Sequence, residues 1–174
     1  MPFDQAPIHQ ANANLQFPDL RFAEQLALWS VRFWSTGHAA DRNVLPPLMA
    51  AYAHAGAADA LPAFDHLMTA LIIGGKRPLR LNPLCCRHLT ADEVRFLDLT
   101  GEATTRRAER AAIILETWLS PKLALRTAPA AGRYGLAMAR AGLILPRRCW
   151  NAAAFPDRPQ VIVHPLTREP AALH

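Results

Sequence analysis

The sequence predicts an all-α, single-domain bundle of about six or seven helices with an extended, proline-rich C-terminal tail. Apolar residues recur at three- and four-residue spacing in most segments, as is typical of amphipathic helices. Hydrophobic residues make up 51% of the 174 residues, and many are alanine, which favours closely packed helices over sheet. Many of the fifteen prolines fall between these segments, where they separate one helix from the next.

Three regions are expected along the chain. Residues 1–18 are polar and lack a hydrophobic period, which predicts an N-terminal arm. Residues 19–145 contain the periodic segments and form the predicted helical domain. Residues 146–174 contain five prolines, and their only strand-like segment, 161–163, is too short to form a sheet alone. We expect this tail to pack on the domain or to remain partly free.

The first helix is expected over residues 20–36, with Asp19 as its cap and Gly37 at its end. Its spacing predicts an aromatic face in the core, formed by Phe22, Leu26, Trp29 and Phe33. Further apolar residues widen this face, so the helix is predicted to be central to the bundle or buried in a homodimer through Trp29 and Trp34.

Two shorter helices follow. The second is capped by Asn43, tolerates two prolines in its first turn and ends at Gly56. The third begins between Ala58 and Pro62, and the two glycines at 74 and 75 stop it.

The later helices have clearer start signals. Thr90 and Glu93 form a capping box, in which each side chain can accept a hydrogen bond from the other residue's amide. The helix that it begins should end near residues 100–101, and the next should span about residues 103–119. Ser120 and Pro121 begin a short helix to about residue 127, and Pro129 is expected to start another.

Charge divides the chain into two halves. Residues 1–74 carry three basic and six acidic residues, whereas residues 75–174 carry sixteen basic and eight acidic residues. Such a basic half either attracts nucleic acid or an acidic protein, or is a solvated surface. The residues predicted to bind an anion or nucleic acid are Lys76, Arg77, Arg80, Arg106, Arg107, Arg110, Arg133 and Arg140.

Residues 131–136 allow two interpretations. Ala131, Gly135 and Leu136 have the spacing of a helix-turn-helix, whose second helix would present arginines to DNA. The alternative is one continuous amphipathic helix, with exposed arginines at a seven-residue interval at positions 126, 133 and 140.

The segment 74–93 (GGKRPLRLNPLCCRHLTADE) joins the two halves and offers an alternative site. Cys85, Cys86 and His88 could ligate a metal, but the spacing typical of zinc sites is absent, and neither a metal nor a cofactor is expected. A reactive thiol beside Lys76 and Arg77 is the other chemistry that this segment could support. No Ser/His/Asp or paired-carboxylate pattern indicates an enzyme.

The order GKRPLR, CC, LTADE-x-x-FL and WLSP, followed by a basic helix containing glycines, resembles a group of small all-helical bacterial proteins without an assigned function. The resemblance covers roughly residues 70–145 and implies an all-helical fold but no activity.

The most defensible function is a non-enzymatic binding or regulatory protein that contacts nucleic acid or an acidic partner through its basic half. A small-molecule or metal-binding protein with a site near residues 76–88 is the alternative. Three cysteines, an N-terminus without a signal-like apolar region, and no apolar run near the roughly 18 residues of a membrane span favour a soluble cytoplasmic protein.

Overall fold

The computed structural model describes residues 15–103, 108–148, 155 and 161–163. This part of the chain is an all-α domain, as predicted, and its six α-helices are α1 (Phe22–Ala39), α2 (Leu45–His54), α3 (Leu61–Ile73), α4 (Ala91–Ala103), α5 (Ala108–Leu115) and α6 (Pro121–Arg140). Short 3-10 turns at Phe17–Asp19 and Ala58–Ala60 precede α1 and α3. No helix in these described ranges is long and apolar enough to cross a membrane.

The first helix begins two residues later and ends three residues later than predicted, with Arg21 rather than Asp19 at its N-cap, and only part of the predicted face is buried. Gly37 lies inside α1 rather than at its end, and the position needs glycine because a Cβ atom there would collide with Val44 of the following segment. The predicted core face is only partly correct: Leu26 is buried, but Phe22 is 57% exposed, and Trp29 and Phe33 are half-buried and stack on each other at 5.1 Å. The buried side consists mainly of small and aliphatic residues, which permit closer packing than the larger rings; among them are Ala23, Ala27, Leu28, Ser30 and Val31.

The capping box of α4 is confirmed. The Glu93 amide donates to Thr90 Oγ1 at 3.1 Å, and the Thr90 amide donates to Glu93 Oε2 at 2.9 Å. At the start of α6, Ser120 has the expected extended N-cap conformation, and Pro121 occupies the first helical position.

The helix after α4 is shorter than predicted. The expected span was 103–119, but α5 ends at Leu115, and the amides of Thr117 and Trp118 donate to carbonyls three residues back, as in a tight final turn. The buried residues of α5 and of this turn include Ala111, Ala112, Leu115, Trp118 and Leu119.

The longest helix, α6, replaces the two helices predicted around Pro129. The helix runs through Pro129, which is exposed, so water can satisfy the Leu125 carbonyl that loses its helical donor. Gly135 is buried within α6 rather than placed in a turn, which excludes the helix-turn-helix interpretation. The continuous amphipathic alternative is confirmed.

The centre of the bundle is α6, not α1 as the sequence suggests. It packs against α3, α4 and α5. Aromatic side chains from four helices meet there: Phe64 of α3 lies 5.7 Å from Tyr134 of α6 and 6.1 Å from Tyr52 of α2, and meets Phe96 of α4 edge-on at 6.5 Å.

A two-stranded antiparallel ribbon packs against α4 and α1. Strand β1 (Leu79–Leu81), in the segment between α3 and α4, pairs with β2 (Val161–Val163) in the tail. The register places Leu79 opposite Val163 and Leu81 opposite Val161. The strand-like tail segment therefore finds its hydrogen-bonding partner about 80 residues earlier in the chain, as a short strand requires.

Candidate nucleic-acid interface

The outward face of α6 carries a row of cations. Arg126, Arg133 and Arg140 are exposed and seven residues apart, so they lie on one side of the helix at intervals of about 10 Å. Lys122 is also exposed and lies one turn before Arg126. We call Lys122, Arg126, Arg133 and Arg140 the α6 basic row. It spans about 27 Å of helix at a rise of about 1.5 Å per residue.

The α6 basic row has no acidic residue near it in sequence. From residue 117 to residue 156 the chain contains six basic residues and no acidic ones. Among the described residues, no hydrogen bond or ion pair involves the side chain of any member of the row. Four positive charges are therefore left for solvent or for a partner.

Three other arginines form ion pairs within the fold. Arg32 is fully buried against Glu93, Arg77 binds Asp92, and Arg148 pairs with Glu24 at 2.7 Å. Each of these carboxylates has almost no exposed surface, so these ion pairs are part of the folded body. The contrast separates structural arginines from those of the α6 basic row.

The opposite face of α6 fixes the direction of the row. Ala124, Ala131, Tyr134 and Met138 have 0% exposure and pack into the bundle. The helix cannot rotate without exposing these residues, so the cations are held outward by core packing. Leu125 and Leu136 are 63% and 46% exposed, so they lie on the solvent side of α6 with the cations.

The structure brings together only some of the predicted binding residues. Arg133 and Arg140 share the α6 face, whereas Arg110 is exposed on α5, and Arg106 and Arg107 lie outside the described residues. Lys122 and Arg126 are not among the predicted binding residues, although the long stretch without acids indicates them.

The side chain of Arg77 is bound within the fold, and the main chain of Arg80 contacts the same carboxylate. The Arg77 guanidinium donates to both Asp92 oxygens, at 2.8 and 2.6 Å, and to the Thr117 carbonyl at 2.9 Å. It also lies 5.9 Å from the centre of the Trp118 ring. The Arg80 amide donates to Asp92 at 2.9 Å. Lys76 is exposed, although its main-chain amide donates to the Trp118 carbonyl.

A buried ion pair organises the segment between α3 and α4. Arg32 donates to both carboxylate oxygens of Glu93, at 2.8 and 2.9 Å. Its remaining donors reach the carbonyls of Cys86 at 2.7 Å and His88 at 2.8 Å. Glu93 also accepts from the Asn82 amide at 2.7 Å. These hydrogen bonds to main-chain carbonyl and amide groups hold the segment beside α1 and α4.

The cysteines of this segment are not gathered into a cluster. Cys85 is exposed, Cys86 is half-buried, and His88 is exposed. The part of the chain that the structure describes contains no group of three His, Cys, Asp or Glu side chains arranged to hold a metal. Cys149 lies outside it.

Tyr52 and Tyr134 form a buried hydroxyl pair at 3.0 Å. Burial raises the pKa of Tyr52 to about 12, against the opposing effect of hydrogen bonds from Ser30 and Tyr134. Burial also raises the pKa of Tyr134 well above its usual value of 10.0. Both hydroxyls are therefore protonated at neutral pH, with one donating to the other in the core.

The pKa of Asp92 is lowered in the folded protein. Burial alone would raise this pKa. The hydrogen bonds from Arg77 and from the Arg80 main-chain amide, together with the positive charge of Arg77, outweigh that effect. A carboxyl whose pKa is lower in the folded than in the unfolded state stabilises the fold above its unfolded pKa. This contribution is lost as the pH falls through the folded value, below the usual 3.8.

Replacing Asp92 with asparagine should therefore reduce stability at pH 7 by about 1–3 kcal/mol, because Arg77 loses its charged partner. The difference from wild type should shrink as the pH approaches 3. Urea unfolding at both pH values measures this, with Asp59→Asn at an exposed position as the control. A constant difference across this range would show that the charge of Asp92 contributes nothing.

The predicted homodimer surface of α1 is only partly available. Trp34 is 5% exposed, and its indole donates to Asp65 at 3.0 Å within the same chain. Trp29 is half-buried and lines an apolar groove beside α2. A dimer through α1 stays a prediction in which Trp29, but not Trp34, could take part without rearrangement.

The all-helical architecture agrees with what the resemblance to small helical bacterial proteins implies, while the resemblance itself stays a prediction. The segment that carries it contains the buried network of Glu93, the α4 cap and the continuous helix α6. Comparison of the chain with known protein families, curated proteins and solved structures finds no match.

Proposed function

We propose that this protein binds nucleic acid through the α6 basic row and catalyses no reaction there. The observation that carries the proposal is that four exposed cations share one helix face without a carboxylate partner among the described residues. Phosphate groups are the anions that such a row would neutralise, since arginine and lysine supply most protein contacts to the nucleic-acid backbone.

The geometry favours recognition of the backbone rather than the sequence. The row extends over about 27 Å, which matches about eight base-pair steps of a duplex at about 3.4 Å per step. Cations at intervals of about 10 Å along one helix side can meet phosphates whatever the sequence, and although arginine can also pair with guanine edges, the face has no asparagine or glutamine to read adenine. We therefore expect similar affinity for unrelated duplexes.

The proposal predicts a steep loss of affinity with salt. If all four cations contact phosphates, the logarithm of the binding constant should fall with the logarithm of salt concentration with a slope of about −3.6. Fluorescence anisotropy with a labelled 20-base-pair duplex measures this slope between 50 and 200 mM salt. Replacing Arg126, Arg133 and Arg140 with glutamine should reduce it to about −0.9.

A matched variant separates a local interface from net charge. Arg21, Arg42 and Arg87 are exposed and lie outside α6, so replacing these three with glutamine removes the same charge. This control should keep most of the wild-type slope. Equal loss in both variants would show that binding is not localised to α6, and no binding of wild type at 50 mM salt would refute the proposal. Tighter binding to poly-glutamate than to DNA would instead identify an acidic protein as the partner.

A further inference from the structure

A groove of about 340 Å³ lies between α2 and α3, away from the α6 basic row. Its lining is apolar except for one carboxylate and includes Leu45, Met49, Leu61 and Pro62, with Asp65 as the exception. Grooves of this size fall at the lower end of the range of about 300–1,000 Å³ that small-molecule sites occupy.

One wall of the groove is unusually apolar for a surface helix. Helix α2 contains no Asp, Glu, Lys or Arg, and its inward residues Leu48 and Tyr52 are completely buried. Its outward residues Leu45 and Met49 are 42% and 59% exposed. A helix that is apolar on both sides is usually covered on both sides, which indicates that the groove has an occupant.

Asp65 gives the groove a charge preference. Its Oδ1 accepts a hydrogen bond from the Trp34 indole at 3.0 Å, and Trp34 is held in place by stacking on His38 at 4.8 Å. Asp65 forms no ion pair with any residue that the structure describes. This distinguishes it from Glu24 and Asp92, which are each paired with arginine.

We propose that this groove binds a small amphiphilic amine, with its alkyl part against Met49 and Leu61 and its ammonium group paired with Asp65. Methionine adapts its shape readily, which suits a site for a flexible chain. The oriented carboxylate supplies the ion pair and disfavours anionic amphiphiles. The proposal does not depend on nucleic-acid binding, because it involves no residue of α6.

Isothermal titration calorimetry with three probes of equal chain length tests the proposal. Octylammonium, octanol and octanoate, each below its micelle concentration, should bind with decreasing affinity in that order. Asp65→Asn keeps an oxygen for the Trp34 indole but removes the charge, so it should weaken octylammonium by about fivefold and leave octanol unchanged. Asp59→Asn removes the same charge at an exposed position that does not line the groove, and should change neither.

Filling the groove provides a second test. Ala53 is exposed and lines the groove, so Ala53→Phe should abolish binding of octylammonium and octanol while circular dichroism shows an intact fold. Retained binding in this variant would place the site elsewhere. The proposal would be overturned by octanoate binding at least as tightly as octylammonium, by equal effects of the two Asp→Asn variants, or by the absence of saturable binding.

Discussion

Replacing Arg32 with methionine should lower the free energy of unfolding by about 3–5 kcal/mol, because the change leaves Glu93 buried without its counter-charge. Both side chains have 0% exposure, so water cannot substitute for the missing guanidinium. The variant also loses the hydrogen bonds to the carbonyls of Cys86 and His88, which hold the segment between α3 and α4. Urea denaturation followed by circular dichroism measures the change.

A double variant measures how much of this lost stability comes from the unpaired negative charge of Glu93. Adding Glu93→Gln to Arg32→Met removes the buried negative charge but keeps one acceptor oxygen, for either the Thr90 or the Asn82 main-chain amide, which bond to different oxygens of Glu93. We expect it to recover about 1–3 kcal/mol relative to the single variant. Arg42→Met, at an exposed position, should change stability by less than about 0.5 kcal/mol. A double variant no more stable than Arg32→Met would show that the buried charge is not the main cost.

Replacing Phe64 with alanine should also cost about 3–5 kcal/mol, because it removes a fully buried ring from the centre of the bundle. The ring contacts Tyr52, Phe96 and Tyr134, each from a different helix, so the cavity would open where α2, α3, α4 and α6 meet. Thermal and urea unfolding of the variant measure the effect.

The matched control for this change is Phe22→Ala on α1. Phe22 is 57% exposed, so its loss should cost less than about 1 kcal/mol. The comparison also tests which face of α1 is buried, since the aromatic spacing alone would place Phe22 in the core. A loss at Phe22 as large as that at Phe64 would contradict the structure of this helix.

The cations of α6 are not explained by helix stability. Lys122 lies in the first turn, where the helix dipole disfavours a positive charge, and only Arg140 lies near the C-terminus, where it is favourable. The helix also contains no acidic residue that could form stabilising pairs one turn away. Neither the helix dipole nor pairing within the helix therefore accounts for these cations, which supports the proposed contact with phosphates.

Local signals predicted much of the helical framework. Hydrophobic spacing predicted an all-α domain, and the box formed by Thr90 and Glu93 correctly marked the start of α4, because both signals act within one or two helical turns. The interval from Arg126 to Arg140 predicted an exposed arginine row for the same reason. Signals of this kind need no knowledge of distant residues.

Contacts between distant parts of the chain decided the features that local signals did not predict. Pro129 could stay inside α6 because that side of the helix faces water, and the small residues of α1 turned inward because they allow closer packing.

The sequence by itself therefore determined the helical class, the strongest cap and the basic character of the second half, because each follows from residues close together in the chain. Only the tertiary structure decided that Arg32 forms a buried ion pair with Glu93, 61 residues away. It also placed Asp65 in an apolar groove without an arginine partner among the described residues. A charged residue's role depends on which opposite charge folding brings within hydrogen-bond distance, and sequence spacing does not contain that information.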